Sequence, residues 1–353
     1  MELKKIRKEI DEIDSKILYL LNERAKKVLK IAKIKEKEGK SPYSPGREKR
    51  IINRIIAENK GPLSSETLRE IFQHILKISL SLERKLKIIY LGPEATFTHL
   101  AALKSFGEEM ELIPLKSIGA IFREVEKEKA DYGVVPIENS TEGVITHTLD
   151  MFVDSDLKIC AEVILEISHY LMGRGRIKGV RRVYSHPQAF AQCRNWLEEN
   201  LPGVKLIETE STAQAAQAAA KEIGSAAIAP EIAASFYKLR IIAPRIEDNP
   251  NNYTRFFVIG REYVDKSGED KTSIIFSIKD RVGALYEMLS PFKKYELNLT
   301  KIESRPTKKK PWEYIFFVDF VGYKDDERVK NALAELEEKC LFLKILGSYP
   351  LEK

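Results

Sequence analysis

The sequence predicts three domains in series: an all-α segment, a two-lobed α/β segment and an α+β segment of ferredoxin-like order. Three observations carry this. Residues 1–86 show helical periodicity alone, residues 87–267 alternate short apolar runs with helical stretches, and residues 268–353 contain the order βαββαβ. A chain of 353 residues has room for all three, and its 43% hydrophobic and 32% charged residues are those of a soluble globular protein. The net charge of +6 is spread as lysines among glutamates, which is no nucleic-acid footprint. Cys160, Cys193 and Cys340 are far apart and lack metal-ligand spacing, so neither zinc nor a disulfide framework is expected and a reducing compartment fits. Met1 leads directly into an amphipathic helix rather than a signal peptide, and no apolar run approaches membrane-spanning length, so the expected location is the cytoplasm.

In the opening helix, apolar residues recur at Leu3, Ile6, Ile10, Ile13, Ile17 and Leu20, and the stripe continues through Arg24, Val28, Ile31 and Lys35. At about 36 residues this helix would be roughly 55 Å long, too long to be buried by its own hairpin. A two-fold partner chain is the simplest closed solution. Breaks at 39–46 and at Gly61-Pro62 separate three helices, and the third carries the stripe Phe72, Leu76, Ser79, Glu83 and Leu86. Two cations, a hydroxyl and a carboxyl therefore face inward. Burying them costs several kcal/mol unless they are paired, and an anionic small molecule between the helices would satisfy them. Arg24 and Lys35, eleven residues apart, share a face at roughly 16 Å along the axis, while Arg7 points about 100° away and suits a residue reaching the partner's site. Snorkelling at a helix interface is the competing explanation for the two cations.

In the α/β segment, strands are expected at 87–91, 133–137, 182–184, 205–208, 226–229 and 256–259, enough for two lobes. Several lead into Ser/Thr-rich turns that open helices, and these turns hold Thr96, Asn139, Ser140, Thr141, Ser185, His186, Ser211 and Thr212. Helix N-termini at the carboxyl ends of strands offer N–H groups to anions, so such turns around one cleft would hold a multiply charged acid. Helix capping competes for Ser185, Ser211 and Thr212. His99, His147 and His169 read as surface or satisfied core histidines. The last segment is expected as strand 273–278, helix 283–295, strands 298–304 and 313–321, helix 326–339 and strand 342–349. Gly283 and Arg305-Pro306 stand at element ends where a ligand could dock.

Four motifs occur in order: YLGPEATFT at 90–98, GVVPIENSTEG at 133–143, YSHPQAFAQC at 184–193 and NYTRF at 252–256. GAL at 283–285 and ESRP at 303–306 follow. Together they resemble the bifunctional chorismate mutase/prephenate dehydratases of phenylalanine biosynthesis, which end in a regulatory ACT domain. The resemblance implies a helical mutase domain (1–86), a two-lobed, periplasmic-binding-protein-like dehydratase domain (87–267) and an ACT domain (268–353). It implies that Arg7 from across a dimer, Arg24 and Arg47 bind carboxylates of chorismate, with Ser79 on a carboxylate and Glu48 on the hydroxyl. Lys35 and Glu83 would flank the ether oxygen catalytically. Many relatives have Gln in place of Glu83, so Glu83 must be protonated to donate there. Ser44 replaces a common aspartate in a loop one residue shorter than usual. For prephenate, the resemblance makes Thr254 the catalytic donor, with Thr96, Asn139, Ser140, Thr141, Ser185, His186, Gln192, Ser211 and Thr212 binding or orienting. Arg255 is either a substrate residue or a salt-bridge residue. L-Phenylalanine, as effector, would meet Gly283, Ala284, Leu285, Asn298, Glu303, Ser304 and Arg305. No metal or organic cofactor is required, no nucleic acid or membrane is a partner, and the assembly is a homodimer or homotetramer. Two other readings compete: a non-catalytic amino-acid sensor, and a prephenate or arogenate dehydratase whose helical segment is only a dimerisation arm.

Overall fold

The computed structural model describes residues 1–279, 281–306 and 314–352. Helix α1 (Glu2–Lys37) packs along α3 (Ser65–Glu83), and α2 (Pro45–Glu58) closes the hairpin against α3. Ser64 caps α3 by accepting the Thr67 N–H at 3.1 Å. Of the α1 stripe only Val28 is buried; Ile6, Ile10, Ile13 and Ile17 stay about half exposed, as expected of a helix that outruns its own hairpin. No described helix is long and apolar enough to cross a membrane.

The α1–α2 loop docks this segment onto the next. Tyr43 packs on Phe106 and Tyr132, with ring centroids 4.7 and 5.1 Å away, and the Ser41 and Tyr132 hydroxyls are hydrogen-bonded at 2.6 Å. A Cβ on Gly46 would lie 2.1 Å from the Asp265 carbonyl oxygen, so only glycine permits this approach.

The first α/β lobe contains β1 (Lys87–Leu91), α4 (Phe97–Phe106), β2 (Glu111–Leu115), α5 (Ile118–Glu126), β3 (Tyr132–Asn139), β4 (Gly143–Val144), α6 (Thr146–Asp154) and β5 (Lys158–Glu166). The chain crosses to a second lobe of β6 (Tyr170–Gly173), β7 (Arg182–Ser185), α7 (Pro187–Gln192), α8 (Arg194–Asn200), β8 (Lys205–Glu208), α9 (Thr212–Lys221), β9 (Ser225–Ala229), α10 (Ile232–Phe236) and β10 (Arg240–Ala243). It then returns to the first lobe as β11 (Tyr253–Gly260), giving sheets ordered β2-β1-β3-β11-β5 and β10-β6-β9-β7-β8. The two crossings lie side by side: the Ile167 N–H reaches the Asn252 carbonyl at 2.7 Å, and the Ile246 N–H reaches the His169 carbonyl at 2.8 Å.

The last segment is β12 (Asp270–Ser277), α11 (Ala284–Lys294), β13 (Leu299–Pro306), β14 (Tyr314–Val321), α12 (Glu327–Lys339) and β15 (Phe342–Pro350), with sheet order β13-β14-β12-β15. This is the expected βαββαβ order; residue 313, expected to open its third strand, lies outside the described residues. One sheet face, with Phe276, Phe316 and Val318, packs under its own helices. The other, with Ile275, Phe317, Leu346 and Tyr349, joins the core of the first lobe. β12 is buried along its whole length, and a Cβ on Gly347 would lie 2.2 Å from the Ile159 carbonyl oxygen.

Five strands escaped the sequence expectation: β2, the two-residue β4, β5, β6 and β10. β2 and β10 are sheet edges, and β2 contains Pro114, a residue tolerated at edges that weakens a strand pattern. β5 reads KICAEVILE, and its inner-face Glu162 interrupts the apolar signal of a buried strand.

Candidate functional sites

In the helical segment the inward charges meet one another. The Lys35 ammonium donates to the Glu83 carboxylate at 2.8 Å and to the Pro42 carbonyl at 2.9 Å. One turn deeper, Arg24 donates to the Ser79 hydroxyl, which donates on to the Ile75 carbonyl at 2.6 Å. Glu48, in the first turn of α2, completes the group. Burial raises its carboxyl to about 7, a shift tempered by Lys77 and Lys35 and reinforced by Glu83. Glu48 also borders a cavity of about 730 Å³ between α2, α3, α4 and β5. The expectation that Lys35 and Glu83 stand apart on either side of a ligand is therefore modified: in the free protein they hold each other. Arg47 is exposed and Arg7 lies on the free half of α1; neither has an ion pair among the described residues. Ser44 precedes α2 with its hydroxyl buried and without a hydrogen-bond partner among the described residues.

Between the α/β lobes lies a cleft of about 300 Å³ whose lining includes Thr96, Asn139, His186, Gln192, Ser211, Thr212 and Thr254, seven of the expected residues. Thr96 caps α4 by accepting the His99 N–H at 3.4 Å, and Ser211 caps α9 by accepting the Gln214 N–H at 3.1 Å. Both helix N-termini thus face the cleft, so capping and ligand binding are compatible here. Asn139 donates its amide to the Thr254 hydroxyl oxygen at 2.8 Å and to the Asn252 side chain at 2.7 Å. Because the Thr254 oxygen accepts this bond, its own O–H is left to donate into the cleft.

Three expected substrate residues line other surroundings. Thr141 holds the Asn139 oxygen through its N–H (3.0 Å) and hydroxyl (2.6 Å), so it orients Asn139 from behind. Ser140 is exposed, and its hydroxyl accepts the Tyr253 N–H at 2.9 Å, tying the turn to β11. Ser185 is fully buried in β7, donating to the Ile228 carbonyl at 2.9 Å, and the residue that caps α7 is His186. His99 is the satisfied core residue expected, accepting the Ala95 N–H at 3.0 Å and stacked on Tyr90, and His147 is exposed. His169 is a correction. It is buried and lines the cleft, 2.7 Å from the Gln192 oxygen. The available signal was its place between two apolar runs, where a chain crossing between lobes has to lie.

Arg255 resolves to the ion-pair alternative and is not a cleft residue. Next to Thr254 on β11, it points to the opposite face of the sheet and meets Glu162 (2.7 Å), Asp319 (2.6 Å), Glu138 (3.0 Å) and the Tyr349 hydroxyl (3.0 Å). Burial alone would weaken its charge, but Tyr349, Asp319 and Glu162 more than offset that. Lys271 pairs with Glu162 at 2.9 Å, Lys301 with Glu138, and Ser273 with Asp319. The cluster spans β3, β5 and β11 of the first lobe and β12, β13, β14 and β15 of the last domain. In the last domain Gly283 takes a left-handed φ of 78° at the start of α11, Ala284 is buried, and Leu285, Asn298 and Ser304 are exposed. Glu303 is half-buried on β13. Arg305 pairs with Asp150 of α6 at 3.2 Å, so it fastens the domain to the first lobe.

Family models match in the expected order: chorismate mutase type II over residues 6–84, prephenate dehydratase over 88–264 and the ACT domain over 272–338. A bifunctional chorismate mutase/prephenate dehydratase of Aquifex aeolicus is 51% identical over 99% of this chain and 98% of its own. One from Pseudomonas aeruginosa is 44% identical over the same shares. The crystal structure of a prephenate dehydratase from Arthrobacter aurescens in complex with L-Phe superposes with a TM-score of 0.70 at 35% identity, covering 75% of this chain and 90% of that one.

Replacing Arg255 by Met would leave Glu162 and Asp319 buried without their shared guanidinium. Urea unfolding should register a loss of about 3–5 kcal/mol, the usual cost of breaking a buried pair from one side. A loss below about 1 kcal/mol would rank the cluster with surface pairs.

Proposed function

This chain belongs to the family of bifunctional chorismate mutase/prephenate dehydratases with a C-terminal ACT domain, and we propose that its mutase site is the Arg24–Lys35–Glu48–Ser79–Glu83 group and its dehydratase site the interlobe cleft around Thr254. The chain converts chorismate to prephenate and prephenate to phenylpyruvate, CO₂ and water. The observation that carries the assignment of the cleft is the Asn139–Thr254 bond, which leaves a buried hydroxyl free to donate among helix N-termini.

In the first reaction the ether C–O bond breaks as a C–C bond forms. The protein has only to hold the dicarboxylate in its compact conformer and stabilise charge growing on the ether oxygen. Arg24 and Ser79 would take a carboxylate, and the ether oxygen would enter between Lys35 and Glu83, replacing their mutual bond with one bond from each. Glu83 has a donor to offer only when protonated. The half-exposed α1 stripe supports a dimer in which a second copy covers it and brings Arg7 to the partner's site. That would make each mutase site a product of two chains.

In the second reaction the electron pair of the ring carboxylate's C–C bond enters the ring, CO₂ departs, and the ring C–O bond breaks. Thr254 would donate a hydrogen bond to the departing oxygen, which leaves with the C–O electron pair and is completed to water by a proton from solvent. Asn139 holds Thr254 in place, and the N-termini of α4 and α9 favour the carboxylates. No metal or organic cofactor enters either step.

L-Phenylalanine would act at the ACT domain around Gly283 and β13; a related dehydratase has been crystallised with L-Phe, which supports this choice of effector. β13 contributes Lys301 to Glu138, which neighbours Asn139 and pairs with Arg255. A shift of that strand would therefore act on the chain neighbours of Asn139 and Thr254, namely Glu138 and Arg255. The absence of a long apolar helix among the described residues is compatible with a cytoplasmic location.

Chorismate supplied alone to the full chain tests the two activities together. It should appear as phenylpyruvate, with L-phenylalanine suppressing the conversion; chorismate that persists while added prephenate is consumed would reduce the helical segment to a dimerisation arm. Thr254→Val should lower kcat for prephenate by about 10²–10⁴-fold while leaving the mutase rate intact. A kcat within threefold of the parent would remove Thr254 from the chemistry. Glu83→Gln, which keeps a donor beside Lys35 at every pH, should retain mutase activity within about tenfold of the parent, and any pH limb with a midpoint near 7 belongs to Glu48, the carboxyl held at about that value by burial. A loss beyond about a thousandfold on Glu83→Gln would remove the role of hydrogen-bond donor from that position.

A further inference from the structure

The dehydratase cleft has to hold two carboxylates and a carbonyl, yet no lysine or arginine lines it among the described residues, and Glu210 adds a negative charge of its own. Neutral N–H and O–H donors must therefore meet the substrate's charge. Under that condition the orientation of each side-chain amide matters, because an amide turned the wrong way offers an oxygen to an anion. Asn139 is fixed by Thr141, Thr254 and Asn252, as described above. Gln192 is the other amide expected to bind substrate, and what fixes it is His169.

His169 stands on the crossing from β5 to β6 and is 2% exposed. Its own backbone is clamped: its N–H donates to the Glu247 carboxylate at 2.7 Å, and its carbonyl accepts from Ile246 at 2.8 Å. Its ring lies edge-on to Phe97, with centroids 5.8 Å apart. The ring Nε2 is 2.7 Å from the Gln192 Oε1, and the Gln192 Nε2 is 3.5 Å from a Glu142 carboxylate oxygen on the opposite lobe. Two oxygens cannot share that arrangement reversed, since flipping the amide would set its oxygen against Glu142. With the Gln192 oxygen towards the ring, the imidazole Nε2 has to be the donor. Burial also lowers the basicity of the imidazole, so the ring is neutral and its single proton is on Nε2. The other nitrogen, Nδ1, is then a bare acceptor, consistent with its having no partner among the described residues.

We propose that His169 is a positioning residue of the dehydratase reaction: from the crossing between the lobes, its Nε2–H holds the Gln192 oxygen and so presents the Gln192 amino group to a carboxylate or carbonyl of prephenate. This rests on the cleft being the prephenate site. In the free protein Glu142 sits near that amino group, and substrate would take its place as the lobes close on it. The histidine does not touch the reacting atoms.

The experiment is a double-mutant cycle on the full chain with prephenate as substrate, combined with ¹⁵N spectroscopy of the imidazole. His169→Phe should raise KM about tenfold, the effect of one misdirected bond to a charged group, with kcat changed less than threefold. His169→Gln, whose side-chain N–H can reach the same position, should recover most of the loss. In a Gln192→Ala background the His169→Phe change should cost less than twofold, because nothing remains to be oriented. The ¹⁵N signals should report a neutral ring protonated at Nε2 at pH 7. An equal effect of His169→Phe in both backgrounds, or a ring protonated at Nδ1, overturns the proposal. If His169→Phe does not fold, the ¹⁵N spectrum of the unmodified chain decides alone. A parent protein that fails to consume prephenate would overturn the reading of the cleft and this proposal with it. An active parent with an additive cycle would overturn only the role of His169.

Discussion

A guanidinium buried between two domains is the constraint around which the α/β and ACT halves of this chain are arranged. Arg255 lies 8% exposed among Glu138, Glu162, Asp319 and the Tyr349 hydroxyl. Such a charge is tolerable in a protein interior only when each face of it is met. The partners come from both sides of the boundary: Glu138 and Glu162 from the first lobe, Asp319 and Tyr349 from the ACT sheet. If the sheet undocked, Arg255 would lose half its shell, and the apolar face carrying Phe317, Leu346 and Tyr349 would be exposed at the same moment. Apolar burial supplies the driving force for this interface, and the ion cluster sets its register, since a shift of one residue along β11 would exchange Thr254 and Arg255 between the cleft and the core.

That alternation would tie regulation to the proposed chemistry without a long pathway. Thr254 faces the cleft and Arg255 the ACT domain, and their neighbours on β3, Asn139 and Glu138, divide in the same way. Lys301 of β13 reaches Glu138, so the strand that carries the ESRP motif is two side chains from the hydroxyl proposed to hydrogen-bond the leaving group. Effector binding can act here only by favouring one of two arrangements of these packed elements. The mutase segment obeys the same physics with a different outcome. Its inward charges, Lys35 with Glu83 and Arg24 with Ser79, are satisfied internally, and a substrate entering the site proposed there would have to compete with them.

Much of this was legible in the sequence. Helical periodicity with four polar interruptions led to the inward-facing cluster of Arg24, Lys35, Ser79 and Glu83, because a stripe at spacings of three and four leaves no choice of face. The turns at 92–96, 138–141 and 210–212 led to the cleft because helix N-termini at strand ends converge in α/β lobes. Ser185 failed for a reason of one residue: the strand runs on through it, so its hydroxyl is spent on Ile228 and His186 becomes the cap. Ser140 and Thr141 failed because a tight turn spends its hydroxyls on its own backbone and on Asn139. Arg255 could have been assigned from strand parity, since a residue next to Thr254 on one strand must face away from it. What no local pattern revealed was the chemistry of the crossing between the lobes. His169 gains its role from Gln192 and Glu247, which are distant in sequence.

Coupling of the ACT sheet to Thr254, the proposed dehydratase donor, through the two faces of β11 requires that L-phenylalanine alter both. Amide hydrogen exchange of the intact chain, followed with and without L-phenylalanine, addresses it directly. Altered protection at 253–256 and 138–141, together with changes around Gly283 and along β13, is the predicted result. Changes confined to the ACT domain, with β11 and the 138–141 turn unaffected while prephenate turnover is inhibited, would contradict it.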